Sequence, residues 1–204
     1  ISACLVGSEM CIRDREQEVT PIVAIPVYGR SADNIRDHRH VTSLLHRIDT
    51  KECGVEVTPV LSFDERGHQK NDTTYFVYGF TAEGNAPKEF YPTVESFIGE
   101  GGSFLIPEAV RVEKTGCTAG CHLEGKEAVG AFRFERRKLK ANESIEYVVL
   151  AGATGEKASI SKICTLFGTK EQAENELANV KKYWTEKVNV EFETGDEATD
   201  NYLK

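Results

Sequence analysis

Long apolar runs are missing from this 204-residue chain. No stretch approaches the roughly 20 residues that a helix needs to cross a bilayer, so a spanning helix is excluded. A basic excess is missing too: 25 Lys and Arg stand against 33 Asp and Glu, a net charge of −8. That balance argues against a duplex nucleic-acid binder, which needs a positive footprint. Six Pro and 17 Gly without periodicity exclude collagen-like and linker-like chains. Six Cys are too sparse for a disulfide scaffold. No nucleophile elbow, phosphate-binding glycine loop or dinucleotide fingerprint occurs. What remains is one domain's worth of ordinary globular sequence, long enough to bury a core.

The first 15 residues (ISACLVGSEMCIRDR) have neither a helical nor a strand period, and no turn chemistry. They hold Cys4, Cys11 and the sole Met, and lack the basic start and continuous apolar stretch of a signal peptide. Residues 5–15 resemble the translation of a transposon-type sequencing adapter at every position, so residues 1–15 are set aside as an adapter-like, non-native segment. Arg13 and Arg15 offset Glu9 and Asp14, which leaves the net charge unchanged. On this reading the natural chain begins upstream of residue 16, and the gene was recovered as a fragment.

Strand-like segments fill most of the rest. Residues 21–28 (PIVAIPVY) are apolar and β-branched, but Pro21 and Pro26 predict an edge or irregular strand. Residues 40–49 and 54–63 follow, with Val55 and Val57 alternating with Glu56 and Thr58. Asp64 to Gly67 reads as a turn. Residues 73–81 are aromatic and β-branched. Residues 125–138 read as strand around 131–134, with Phe132 and Phe134 on one face, and residues 143–150 alternate into a buried end. Short strands with turns between them, and no helix after each, predict a mainly β fold: an antiparallel sandwich. Residues 90–107 break the rhythm. Thr93 can cap a helical turn reaching Ile98, and Gly99, Gly101 and Gly102 follow as a loop. This reads as an excursion over one end of the sandwich, either a functional loop or a packed cover.

The period changes near the end. Thr169 with Gln172 fits a capping box, and Ala173, Leu177, Val180, Trp184 and Val188 form one apolar stripe, expected to be buried. Residues 190–193 read as a short strand and residues 196–204 as the beginning of a helix.

The densest polar cluster is residues 29–47, with Arg30, Asp33, Asn34, Arg36, Asp37, His38, Arg39, His40, His46 and Arg47 just before a strand. Arginine forks beside Asp and Asn acceptors suit sugar hydroxyls or an oxyanion. An Arg–Asp network that pins a long loop fits the same residues equally well. His38 and His40 would share a strand face as metal ligands can, but no third ligand stands at sensible spacing. Cys117, Cys121 and His122 have zinc-like spacing without a second pair, since Cys53 and Cys164 stand alone in sequence, so a plain surface turn is favoured. Asp64 and Glu65 are adjacent in a turn, which points them apart and spoils a paired-carboxylate reading.

Several blocks carry a family resemblance in their order: VYGRSADNIRDHRHVTSLLHRI, GVEVTPVLSFDERGHQKN, FYPTVESFIGEGGSF, GKEAVGAFRF and KKYWTEKVNVEFETGD. Together, over residues 19–204, they resemble glycoside hydrolase family 94, the inverting β-glucoside phosphorylases. The likeness is greatest to the branch of 1,2-β-oligoglucan phosphorylases and cyclic β-1,2-glucan synthases. The resemblance implies a super-β-sandwich over residues 16–155, linker helices over 156–188, and the start of an (α/α)₆ catalytic barrel over 189–204. It implies a parent enzyme with inorganic phosphate as co-substrate, no other cofactor, a β-glucan or oligosaccharide substrate, a homodimer and a cytoplasmic location, with no nucleic-acid or membrane partner. The family's general acid lies in the barrel, and no Asp or Glu here matches its motif, so no catalytic residue is assigned. Arg30, Asp33, Asn34, Arg36, Asp37, His38, Arg39 and His40 are the expected substrate-facing residues. A stand-alone carbohydrate-binding sandwich is the competing function, and a structural interaction domain a third.

Overall fold

All six residues of the strand Ala128–Arg133 are buried, because both of its faces are covered. In the computed structural model, which describes residues 15–29, 43–64, 67–155, 157–187 and 193–203, this strand (β10) is the middle of a three-stranded antiparallel sheet. Its neighbours are β2 (Ile22–Val27) and β8 (Glu89–Thr93). The strand β2 is an edge, as its proline requires: Pro26 sits opposite Val129 and has no amide to give to a further strand.

A second, five-stranded antiparallel sheet has the order β12-β7-β4-β3-β9. Its strands are β3 (His46–Lys51), β4 (Gly54–Pro59), β7 (Thr74–Thr81), β9 (His122–Glu124) and β12 (Tyr147–Thr154). Two ribbons complete the β structure: β1 (Gln17–Val19) with β11 (Arg137–Leu139), and β5 (Leu61–Asp64) with β6 (Gly67–Lys70).

The two large sheets pack face to face. Val27 and Phe132 from one meet Ile48, Val55, Val57 and Val77 from the other, and Phe134 stands edge-on to Phe132. Each such large side chain contributes roughly 1.5–3 kcal/mol on burial. Two glycines set the close approach. A methyl group on Gly130 would overlap Val77, and one on Gly79 would overlap Phe132. The fold is therefore mainly β and antiparallel, with a sandwich-like core.

Alternation along β10 sends Val129 and Ala131 to the outer side, where they join Tyr91, Val94, Phe97 and Ala109. Two short helices, α1 (Val94–Ile98) and α2 (Glu108–Arg111), cover that side. The cap at Thr93 forms as read, and Ser96 reciprocates to complete a capping box (3.1 Å each way). Residues 90–93, read as part of an excursion, are instead the strand β8. Pairing with β10 decides this, and local sequence does not reveal it. The outer side of the five-stranded sheet presents Phe76, Tyr78, Phe80 and Leu150 to Ile160 of α3 (Lys157–Phe167). The last sandwich strand runs later than expected, over Tyr147–Thr154 and not 143–150, in register with all of β7.

Helix α4 (Lys170–Lys187) starts at the expected capping box: Thr169 N–H donates to Gln172 at 3.1 Å and the Gln172 amide to Thr169 Oγ1 at 3.3 Å. Its apolar stripe is not buried, which corrects the expectation. Leu177, Val180 and Trp184 are more than half exposed, Trp184 at 57 %, and no residue of α4 is buried. Helical period identifies a stripe, but burial needs a covering element, and none of the described residues provides one. Val188, the strand expected at 190–193 apart from Glu193, and the segment 1–14 lie outside the described residues. The closing helix α5 (Glu197–Leu203) forms where read. No described helix is long and apolar enough to cross a membrane.

Candidate functional site

The eight expected substrate-facing residues, Arg30, Asp33, Asn34, Arg36, Asp37, His38, Arg39 and His40, lie outside the described residues, as does Glu65. The structure does show where that segment leaves and rejoins the fold. Gly29, buried just after β2, lies against the His46 ring at the start of β3, so both ends of the segment come close together. His46 is buried, and neither ring nitrogen completes a well-directed hydrogen bond. Burial draws its pKa below the ordinary 6.5, opposed by the Lys126 and Gly29 backbone groups and the Glu127 charge. Arg47 points outward and pairs with Glu124 at 3.3 Å.

The Cys117–His122 segment does not converge on a metal. His122 on β9 spends both ring nitrogens on carboxylates, Asp49 at 2.8 Å and Glu124 at 3.3 Å, and these hydrogen bonds raise its pKa, Asp49 most. Cys117 instead pairs its backbone with Phe90 on β8. No cluster of three or more His, Cys, Asp or Glu suited to a metal occurs among the described residues.

Cys53 and Cys164, isolated in sequence, are not isolated in space. Both pack on the cluster of Phe76, Tyr78 and Phe80, where α3 meets the sheet. Burial pushes the Cys53 thiol up to about 11, and burial first, then Glu56, raises the Tyr78 hydroxyl. Tyr78 donates a short hydrogen bond to the buried Glu56 carboxylate. Both thiols serve here as small apolar groups that fill the contact between α3 and the sheet.

The polar feature that sequence reasoning missed lies under α2. Arg133 closes β10 directly opposite Glu89, 3.0 Å away, with side chains 10 % and 19 % exposed. The same guanidinium donates to the carbonyls of Ala109 (2.6 Å) and Lys114 (3.1 Å) and lies 5.3 Å from the Tyr91 ring centre. Tyr91 donates to the Lys114 carbonyl at 2.6 Å. Beside this network is a cleft of about 360 Å³ walled by Glu18, Thr20, Ile22, Val110, Glu113 and Arg136 together with Arg133. Two guanidinium groups, two carboxylates and a hydroxyl are the groups that bind polyhydroxylated molecules. Here they mostly satisfy one another. Arg136 takes both Glu113 oxygens (2.7 and 2.8 Å) and Thr20 (3.1 Å), so the arrangement clasps the 107–116 segment to the sheet. Parity along β10 places Arg133 on the side of Val129 and Ala131, a signal of a buried arginine. Its partner requires the β8–β10 pairing.

No protein-family model matches the chain, and no curated protein matches it.

Proposed function

We propose that this chain is the noncatalytic sandwich part of an inverting glycoside phosphorylase that cleaves β-glucosides or β-glucans with inorganic phosphate, giving a sugar 1-phosphate. The reading is carried by the ordered series of resembling blocks across residues 19–204. An antiparallel, sandwich-like domain followed by the helices α3 and α4 is compatible with it. In such an enzyme phosphate attacks the anomeric carbon directly, so a single protein acid serves where an inverting hydrolase needs two carboxyl groups. That acid belongs to an (α/α)₆ barrel, of which residues 189–204 would be the start. The share of this chain would be to wall the substrate site with the segment carrying Arg30, Asp33, Asn34, Arg36, Asp37, His38, Arg39 and His40, whose ends are anchored at Gly29 and His46.

The experiment pairs the 204-residue chain with the product of the longer gene, each incubated with β-1,2-glucan and phosphate. Glucose 1-phosphate is expected from the longer product and none from this chain. Release by the isolated chain, or inactivity of the longer product on every β-glucan, defeats the reading. In the longer enzyme, Arg36→Ala or His38→Ala should raise KM or lower kcat with Tm nearly unchanged. Loss of stability or dimerisation with normal kinetics per folded molecule assigns the segment to an interface instead.

A second reading, a stand-alone carbohydrate-binding sandwich, draws on one observation: Tyr183 and Trp184 are both exposed on α4, with ring centres 6.1 Å apart. Their rings are nearly perpendicular, at 85°, which is a poor shared platform for a sugar face. Titration with β-glucan oligosaccharides while following Trp184 fluorescence separates the two readings. A saturable change would favour the binding module.

A further inference from the structure

Thr50 is 2 % exposed and sits where the two large sheets are tied together. Its amide donates to the Cys121 carbonyl and its carbonyl accepts from the Gly120 amide, each at 2.9 Å. Its hydroxyl donates to the Thr118 carbonyl at 2.9 Å and accepts from the Cys121 amide at 2.9 Å. At the other end of the same loop, Cys117 exchanges both backbone hydrogen bonds with Phe90, again at 2.9 Å. Thr50 belongs to β3 and Phe90 to β8, so this loop ties strands of opposite sheets. Between the two anchors the chain reverses through Gly120, whose φ of 91° suits glycine. The reversal turns Cys121 back towards Cys117, with the Cys121 amide on the Thr50 hydroxyl, and brings the two thiols near enough to influence each other's ionisation. Both cysteines are free and partly exposed.

We infer that Cys117 and Cys121 form an oxidisable dithiol, a modification site whose internal disulfide locks the loop joining the two sheets. The inference does not depend on the phosphorylase reading. The oxidant is a small-molecule disulfide such as oxidised glutathione. One protein thiolate attacks a sulfur of that disulfide, and the first glutathione leaves as a thiolate. The second protein thiolate then attacks the protein-bound sulfur of the mixed disulfide, and the second glutathione leaves. Two electrons pass from the protein sulfurs to glutathione, and the two protein thiol protons end on the departing thiols. Fixed loop ends hold the second thiol close, which favours internal closure over a lasting mixed disulfide. Burial holds the Cys117 thiol up at about 11, so thiolate is scarce at neutral pH and closure is faster in mild alkali.

The test uses the whole chain. Trypsin cutting after Lys114 and Lys126 places both cysteines in one peptide, residues 115–126. After incubation of the folded chain with oxidised glutathione at mildly alkaline pH, that peptide should be lighter by two hydrogens and resistant to alkylation. Tm should rise by roughly 4 °C, the scale expected for closing so short a loop. In Cys121→Ser, glutathione should remain on Cys117 and Tm should not rise. Glutathione persisting on both sulfurs of the native chain overturns the inference. So does a pair left reduced under conditions that close it in the urea-unfolded chain, or bonding of Cys117 to Cys53 or Cys164. A disulfide that forms without raising Tm overturns the locking role. The peptide masses of the unaltered chain decide the pairing even if the serine variant fails to fold.

Discussion

Arg133 and Glu89 show how much one half-covered ion pair decides. The guanidinium is held by Glu89 and by two backbone carbonyls, so removing the carboxylate charge leaves a covered cation with neutral partners only. Glu89→Gln should cost about 3 kcal/mol, read as a lower urea midpoint, because breaking such a pair strands a desolvated charge. A cost under about 1 kcal/mol would show that the carbonyls alone suffice. The two described histidines with shifted pKa values act in opposite directions. His46 is pulled below 6.5 by burial and stays neutral when folded, against Gly29, Pro59, Lys126 and Glu127. The unfolded chain therefore takes up a proton there first, and stability falls as pH drops through 6.5 towards the folded value. His122 is raised by Asp49 and Glu124, so its contribution is full below 6.5 and is lost as pH rises through its folded value. His122 is solvent-exposed and counts for little. Urea titrations between pH 7 and 5.5 should show falling stability, and His46→Leu should flatten that limb.

At the scale of elements, the contact between sheets depends on side chains that are missing. Gly130 and Gly79 let Val77 and Phe132 fill the space that a Cβ would occupy, so the two strands interlock. Gly130→Ala should destabilise by about 1–3 kcal/mol or more, since strand β10 is covered on both sides and has nowhere to shift. A neutral effect on the thermal midpoint would mean that the sheets can separate without loss. Gly152→Ala on β12 is a useful comparison: its Cβ would meet the end of the Phe76 ring at 2.9 Å, beside a strand whose neighbouring residues are exposed. Its cost should be the smaller of the two.

For the molecule as a whole, the sandwich covers itself while α4 does not. The layers run from α1 and α2 across the two sheets to α3, and each interface holds its own apolar cluster. Leu177, Val180, Tyr183 and Trp184 on α4 face outward. Trp184 is the sole tryptophan, so fluorescence reports that face without ambiguity. Its emission should be red-shifted and strongly quenched by acrylamide in the isolated chain. Blue-shifted, protected emission at low protein concentration would place α4 against another surface.

Much of the element inventory was legible in sequence because it rests on local chemistry. The β-branched and aromatic runs around β4 and β7, the edge character that Pro26 imposes on β2, the cap at Thr93 and the capping box at Thr169 follow from φ/ψ preferences and near-neighbour hydrogen bonds. Phe132 and Phe134 share a face because strand parity is local. Pairing is not local. That residues 90–93 form a strand, that Arg133 finds Glu89, that Cys53 and Cys164 share one cluster, and that Phe90 and Thr50 each hold one end of the Cys117–Cys121 loop all depend on residues distant in sequence. The exposed stripe of α4 marks the same boundary. Period 3.6 tells which side chains share a face, and only the surrounding tertiary structure decides whether that face is covered, because burial is a property of neighbours and not of the helix itself.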